Sequence, residues 1–120
     1  MKFANMSAPD LIKNFEALAL RQYDANMNFN VSRYNRAFDA MAAVSKELRS
    51  RPGDQRRELV ALYNHPNEQV RLKAAIHTLA LFPDEACDVL QKLIDDRIYP
   101  QAMDAASMLN SLKEGRYVPQ

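Results

Sequence analysis

The residues best suited to hold a metal ion in this 120-residue chain are two histidines and one cysteine. His65, His77 and Cys87 follow one another at separations of 12 and 10 residues. Zinc ligands in proteins usually come as closely spaced pairs, so this spacing indicates no metal site and no bound cofactor. Cys87 has Asp88 beside it and lacks the positive surroundings that activate a thiol, so we expect it to be a packing residue.

Carboxylates are the other candidates for chemistry. Asp84, Glu85 and Asp88 fall in the first turns of a predicted helix, and Asp95 and Asp96 follow at its end. Acidic residues at a helix start usually interact with the helix dipole. The chain has no Ser-containing nucleophile elbow, and with two glycines it has no glycine-rich phosphate loop. The sequence therefore predicts a protein that is not an enzyme.

Charge is distributed unevenly along the chain, although the formal net charge is only +1. Residues 33–57 contain seven basic and three acidic residues, a net of +4, whereas residues 84–114 contain three basic and seven acidic residues, a net of −4. The basic stretch predicts contact with an acidic protein, and an ordinary solvated helix face is the simpler interpretation. Nucleic acid is the alternative partner, disfavoured because Tyr34 and Phe38, which could stack on bases, are predicted to point inward. The seven basic residues are Arg33, Arg36, Lys46, Arg49, Arg51, Arg56 and Arg57.

The elements that position these residues are predicted to be helices throughout. Apolar residues recur at helical spacing, and the segments that carry them are separated by breaks rich in proline, glycine or amides. We predict six helices in three antiparallel hairpins, over residues 7–50, 54–82 and 83–115, forming one all-α domain over residues 1–120. Ser7 is the predicted cap of the first helix, the amide-rich segment 26–30 is the predicted loop after it, and Gly115 is the predicted end of the last helix. Leu59 and Leu62 of the second hairpin correspond to Leu90 and Leu93 of the third at an offset of 31 residues, which indicates degenerate repeats. A closed helical bundle is the alternative architecture.

The central hairpin has the clearest local signals. Its first helix carries Leu59 and Leu62, and the turn around Pro66 ends it because proline disfavours helical geometry in the residue before it. Asn67 is the predicted N-cap of the second helix, which continues to Phe82. That second helix is apolar over most of its circumference, so we expect it to be buried on more than one side.

Residues in the rear half carry a resemblance to a known family. Val70-Arg71 followed by Ala74-Ala75 and Leu79, after the Asn-His-Pro-Asn turn, resembles a HEAT-type repeat. The region Gln55–Gln120, with Tyr99-Pro100-Gln101-Ala102 and the ending Leu112-Lys113-Glu114-Gly115, resembles a family of short bacterial HEAT-like proteins whose function is unassigned. The resemblance implies an α-α superhelix and implies no activity.

The function expected from these observations is a non-enzymatic protein-interaction module. HEAT-like stacks bind partners on a concave surface made by the second helix of each pair. By resemblance to small helical-repeat proteins found near toxins, we expect an immunity-type inhibitor of a partner protein. For Asn35 the favoured role is structural, a bond to the backbone of the preceding loop, and contact with a partner alongside Arg36 is the alternative. The predicted partner-binding residues are Arg33, Asn35, Arg36, Arg71, Lys73 and His77.

Cellular location is predicted from what the chain lacks. No apolar run approaches the length of a membrane span. Residues 1–5 lack the apolar core of a signal peptide, and a single cysteine fits a reducing compartment. We therefore expect a cytoplasmic protein.

Overall fold

The computed structural model describes residues 2–120, and this range contains helices and no strand. Met1, part of the N-terminal segment considered above, lies outside the described residues. A 3₁₀ turn at Lys2–Asn5 precedes six longer helices, of which the third is a 3₁₀ helix. The prediction of an all-α chain with six helices is confirmed. The six are α1 (Ala8–Met27), α2 (Val31–Ser50), the 3₁₀ helix Gln55–Leu62, α3 (Glu68–Thr78), α4 (Pro83–Asp95) and α5 (Gln101–Lys113).

The chain divides into two compact units, a front unit over residues 1–59 and a rear unit over residues 60–120. In the front unit α1 packs along α2, and the connection 28–30 is too short for anything but an antiparallel hairpin. Ser7 Oγ accepts a hydrogen bond from Asp10 N at 3.2 Å, which fixes the start of α1 as predicted. Asn30 Oδ1 accepts from Arg33 N at 3.0 Å and starts α2.

The core of the front hairpin follows the helical repeat on both helices, with one apolar stripe on each. Phe38 was predicted to lie on the stripe of α2, and this prediction is wrong because its side chain is 50% exposed. Ala37 takes the inward position instead, and residue 38 is rotated to the edge of the stripe. The buried apolar residues of the two stripes are Leu11, Phe15, Leu18, Ala19 and Ala25 on α1, and Ala37, Met41, Val44 and Leu48 on α2.

The segment after α2 differs from the prediction in its helix type. Gly53 and Asp54 both have left-handed backbone angles, with φ of 78° and 51°, and the chain turns there into the 3₁₀ helix Gln55–Leu62. An α-helix was predicted from Leu59 and Leu62, which are both buried. A spacing of three residues places two side chains on one face of a 3₁₀ helix at least as well as on an α-helix. The periodicity alone therefore could not separate the two helix types.

In the rear unit, the start of α3 is confirmed and its end is corrected. Asn67 Oδ1 accepts hydrogen bonds from Gln69 N at 2.8 Å and Val70 N at 3.2 Å, as an N-cap does. The helix ends at Thr78 and does not reach Phe82. The Leu81 and Phe82 amides both donate to the Thr78 carbonyl oxygen, at 3.0 and 2.9 Å, and form a turn there. Gly115, with a φ of 73°, ends α5 as predicted.

The rear core is shared by three short helices. α4 packs on α5 and on α3, and α3 also contacts α5. As expected, α3 is buried around most of its circumference, although the buried residues include the polar side chains of Gln69 and Lys73. The apolar core of this unit consists of Leu72, Ala75, Leu79, Ala86, Leu90, Leu93 and Ala105.

Candidate functional site

The residues considered first for chemistry do not come together in the structure. Among residues 2–120, no group of three or more His, Cys, Asp or Glu side chains could hold a metal ion. Burial and the nearby carboxylates of Asp84 and Asp88 raise the pKa of the Cys87 thiol. A raised pKa keeps the thiol protonated, so the structure agrees with a packing role for this residue.

The six predicted partner-binding residues fall into two groups. Arg33, Asn35 and Arg36 lie on α2 in the front unit and are exposed to solvent. The other three, Arg71, Lys73 and His77, lie on α3 in the rear unit, and none of them is fully exposed. The predicted residues therefore form two sets, one in each unit.

An arginine groove runs along the front hairpin. Arg33 and Arg36 of α2 line it together with Arg21 of α1, over a volume of about 430 Å³. The floor is apolar and is made by Leu18, Ala37 and Ala40. We call these six residues the arginine groove. It places three guanidinium groups above a surface that a partner's apolar side chain could cover.

Hairpin geometry explains why these arginines converge. Positions 33 and 36 are one turn apart on α2 and therefore share a face, and the cap at Asn30 fixes where that face begins. In an antiparallel pair, residues equally distant from the connection lie opposite each other. With the connection at residues 28–30, this rule places Arg33 opposite Ala25 and Arg36 opposite Gln22, so that Asp24 and Arg21 are each one residue away from those positions.

The ionic partners of the groove arginines differ. Arg33 Nη1 lies 2.7 Å from Asp24 Oδ2, in an ion pair whose side chains are 44% and 53% exposed. A pair so exposed contributes little to stability and exchanges easily with another anion. Neither Arg21 nor Arg36 forms an ion pair with any described residue. The groove thus has a surplus of positive charge.

A second, smaller hollow continues the arginine groove. It has a volume of about 230 Å³ and shares Leu18, Arg21 and Ala40 with the groove. Its other lining residues include Phe3 and Asn14. The accessible surface therefore extends along α1 towards the N-terminal 3₁₀ turn.

Asn35 and Phe38 do not behave as expected. Asn35 is exposed inside α2, and the bond that joins the preceding loop to this helix is the one that the Asn30 side chain accepts from the Arg33 amide. The exposed ring of Phe38 removes one argument against nucleic acid, since an aromatic face is accessible on the basic stretch after all. Besides Arg33, two basic residues of that stretch are engaged within the protein, however. Arg51 bonds to Glu47 and Arg56 bonds to Asp54.

The connection between α1 and α2 carries the most exposed aromatic side chain of the protein's described part. Phe29 is 92% exposed and has a left-handed φ of 54°, and Met27 and Val31 on either side are also exposed. A hollow of about 270 Å³ beside them is lined by Tyr34 among others. We call Met27, Phe29 and Val31 the apolar tip. Exposed apolar clusters of this kind are typical of protein interaction sites.

The rear unit contains a charged cleft of about 520 Å³. It lies between the 63–66 turn, the first turn of α3, and the middle and end of α4. Arg71 is the one predicted partner-binding residue that lines it. Its Nη1 donates to the backbone oxygens of His65 at 2.8 Å and Pro66 at 3.1 Å, so the side chain also ties down the turn. Asp88 and Val89 line the α4 side of the cleft.

Lys73 and His77 are poorly placed for contact with a partner. Lys73 is only 7% exposed, and burial lowers the pKa of its ammonium group while the nearby Asp104 carboxylate opposes that shift. Burial in turn raises the pKa of Asp104, opposed by Lys73. His77 is half-buried. The structure therefore gives Lys73 a position inside the protein rather than on a binding face.

Comparison with known proteins identifies the family. A family model described as a domain of unknown function, DUF2019, matches residues 9–113, which is most of the chain. The chain belongs to the DUF2019 family. The crystal structure of the protein RPA1889 from Rhodopseudomonas palustris CGA009 is similar to this DUF2019 chain with a TM-score of 0.96. The two are 38% identical, and the match covers 100% of this chain and 99% of that one.

A search of curated proteins gives no match to this DUF2019 chain. The expected resemblance to short proteins without an assigned function is confirmed by the family description. No helix within residues 2–120 combines the length and apolar character that crossing a membrane requires. Function must therefore be inferred from the surfaces described above.

Sequence reasoning missed Arg21 as a member of the groove on this DUF2019 domain. Part of the signal was present, because a loop was predicted at residues 26–30 and the rule of equal distance, applied to the observed connection, pairs Arg36 with Gln22, the residue next to Arg21. The rear cleft had no comparable signal. Asp88 approaches the turn around His65 only through the packing of α3 on α4.

Proposed function

We propose that this DUF2019 chain is a non-enzymatic protein-binding module whose front hairpin takes an acidic segment of a partner protein. The observation that carries this proposal is the arginine groove, in which Arg21, Arg33 and Arg36 line one hollow over an apolar floor. Guanidinium groups match the planar, two-oxygen geometry of a carboxylate, so such a groove favours Asp and Glu side chains.

The electrostatics of the groove suit this role. Arg21 and Arg36 have no ionic partner among the described residues, and Arg33 needs only to exchange the exposed carboxylate of Asp24 for one of the partner. An exposed pair costs little to break. A partner carboxylate therefore gains charge-assisted hydrogen bonds without first leaving a buried charge uncompensated.

A protein partner is favoured over nucleic acid by two features of the same hairpin. The groove offers three arginine side chains. Proteins that bind DNA tightly and in a salt-dependent manner usually contact more than three phosphates. The apolar tip also exposes the aliphatic side chains of Met27 and Val31, which a protein can cover and on which bases do not stack. A HEAT-like stacking of the helices and an immunity-type inhibitory role are finer forms of this proposal. Both depend on the resemblance described above.

Peptide selection tests the proposal with a matched pair of variants. Phage display of random peptides on the wild-type protein should enrich sequences that combine Asp or Glu with an apolar residue. The double variant Arg21→Glu/Arg36→Glu should weaken an enriched peptide roughly tenfold or more. The control Lys46→Glu/Arg49→Glu makes the same change in net charge at exposed positions of α2 outside the groove. It should change the affinity much less.

A third variant separates the tip from the groove. Phe29→Asn removes the exposed ring at a left-handed position that asparagine adopts readily, so the hairpin should fold at least as stably. Loss of peptide affinity in this variant would show that the apolar tip also contacts the partner. The proposal fails if the enriched peptides are not acidic. It also fails if these peptides bind the groove variant Arg21→Glu/Arg36→Glu as tightly as the wild type. A DNA mobility shift at about 50 mM salt that the groove variant abolishes would favour nucleic acid as the partner and contradict the proposal as well.

A further inference from the structure

The charged cleft of the rear unit has the features of a preformed binding site. Arg71 contacts the turn through one nitrogen, Nη1, which donates to the backbone oxygens of His65 and Pro66. A guanidinium group has five N–H donors, so the donors on Nε and Nη2 remain after these two bonds. The tie to the turn holds the group in place before any ligand arrives, which reduces the entropy lost on binding.

The turn that holds Arg71 is itself rigid. The Asn67 amide donates to His65 Nδ1 at 2.9 Å, and the Asn67 side chain caps α3 through Gln69 N and Val70 N. These bonds fix the turn to the start of α3. The Arg71 guanidinium is therefore positioned by the fold and not only by its own rotamer.

The lining of the cleft leaves one positive and one negative group available. Lys92 and Asp96 pair with each other at 2.9 Å and neutralise each other. Arg71 and Asp88 also line the cleft, and neither has an ionic partner among the described residues. Val89, half-buried on α4 between these polar groups, supplies an apolar wall. The volume of about 520 Å³ is that of an ordinary ligand pocket.

We infer that this cleft binds a zwitterionic ligand with an apolar side chain, of the size of a short peptide with free termini. The ligand carboxylate bonds to the donors that Arg71 has left, and the ligand ammonium group bonds to Asp88. The apolar side chain covers Val89. This site lies in the rear unit and is distinct from the arginine groove, so it adds a second binding activity to the proposed function.

A structural role for Arg71 does not account for the cleft. The bonds to the turn use Nη1 alone, and they give no role to the Asp88 carboxylate, which is exposed and makes no side-chain hydrogen bond with the described residues. The Asp88 carboxylate and the fixed Arg71 guanidinium group line the same hollow. Together they can bind the ammonium group and the carboxylate of a zwitterion.

Four leucine dipeptides test the inference on the full-length protein, followed by ¹H–¹⁵N NMR titration. These are free leucyl-leucine, the N-acetyl form with a free carboxylate, the amide form with a free amine, and the form capped at both ends. Free leucyl-leucine should shift the amide signals around the cleft and bind roughly tenfold or more tightly than the doubly capped form. The two singly capped forms should lie between them.

Two variants assign the ends of the ligand. Arg71→Gln should weaken the acetylated dipeptide roughly tenfold and leave the dipeptide amide nearly unchanged, and Asp88→Asn should do the reverse. If Arg71→Gln loosens the turn, the Asp88→Asn comparison still decides, because Asp88 is exposed on α4. The inference is overturned if no cleft signal moves at about 10 mM leucyl-leucine. Equal binding of the capped and free forms, or equal effects of Asp88→Asn on both singly capped forms, would overturn it as well.

Discussion

The front and rear units stabilise their helices in different ways. The front hairpin uses two helices of 20 residues, and each begins with a side-chain cap, from Ser7 on α1 and from Asn30 on α2. Long amphipathic helices with good caps need only one apolar stripe each, so half of their surface stays in solvent. That exposed surface is where the arginine groove lies.

The rear unit uses helices of 11 to 13 residues, and neither α4 nor α5 has a side-chain cap hydrogen bond. Polar side chains inside the unit connect its elements instead. Gln101 Nε2 of α5 donates to Gln69 Oε1 of α3 at 2.9 Å, in a fully buried bond, and the hydroxyl groups of Tyr63 and Thr78 bond to each other. Burial raises the pKa of Tyr63, so its hydroxyl stays protonated over the physiological range.

The difference shows how each unit comes to offer a binding surface. In the front unit the groove arginines lie on the outer faces of α1 and α2, away from the apolar stripes that hold the hairpin together. In the rear unit a charge is used in the fold, since Arg71 fixes the 63–66 turn and faces the cleft at the same time. Substitutions should therefore separate stability from binding in the front unit more easily than in the rear unit.

The largest effect should come from the apolar core that the three rear helices share. Leu90→Ala removes a fully buried side chain from that core and should lower the free energy of unfolding by about 2–5 kcal/mol. Leu20→Ala, on the exposed side of α1, should cost well under about 1 kcal/mol. Urea unfolding followed by circular dichroism measures both. Similar values for the two variants would contradict the core assigned to the rear unit.

The next largest effect tests the buried amide bond between α3 and α5. Gln101→Leu should cost about 1–3 kcal/mol, because it removes the donor that satisfies a buried oxygen of Gln69. The double variant Gln69→Leu/Gln101→Leu should cost less than the sum of the two single changes, since it removes both ends of the same bond. Strict additivity in urea unfolding would show that the two amides do not interact.

A smaller effect is expected from the cap that starts α2 in the front unit. Asn30→Ala removes the acceptor of the Arg33 amide and should cost about 1 kcal/mol. Asn35→Ala, inside the same helix, is the matched control. It should leave stability unchanged or raise it slightly, because alanine is the better helix former. A larger loss for Asn35→Ala would restore the structural role that was first considered for Asn35.

Local features of the fold could be predicted from the sequence, because short-range chemistry decides them. The caps at Ser7 and Asn67 and the end of α5 at Gly115 each depend on a side chain and its immediate neighbours. Features that depend on packing were missed or misassigned. The exposure of Phe38 follows from how α2 packs on α1, which no local pattern encodes.

The candidate sites show the same limit. Arg33 and Arg36 were predicted from charge and spacing, and the hairpin brings them together with Arg21. Lys73 was selected as a polar exception on an apolar helix, and the structure buries it because α3 is covered on nearly all sides. Charge in the sequence thus identified accessible groups on the long front helices, where one face remains in solvent, whereas on α3 only Arg71 of the three predicted residues lines a cleft.

The smallest expected effect concerns an ion pair that the front unit uses for structure rather than for binding. Arg56 holds Asp54 through two hydrogen bonds, of 2.9 Å to Oδ1 and 2.6 Å to Oδ2, and this contact lowers the pKa of the Asp54 carboxyl below its usual value of 3.8. A carboxyl whose pKa is lower in the folded protein than in the unfolded chain stabilises the fold above the unfolded value. That contribution is lost as the pH falls through the folded value.

Asp54→Asn therefore should cost under about 1 kcal/mol at pH 7, and the difference from the wild type should shrink below about pH 4. Asparagine tolerates the left-handed backbone at this position, where φ is 51°, so the comparison isolates the charge. Urea unfolding of both proteins between pH 7 and pH 3 measures the difference directly, since every other carboxyl titrates equally in the two. A difference that stays constant across this range would mean that Arg56 does not distinguish the charged from the neutral side chain, and the contact would then hold the turn by hydrogen bonding alone.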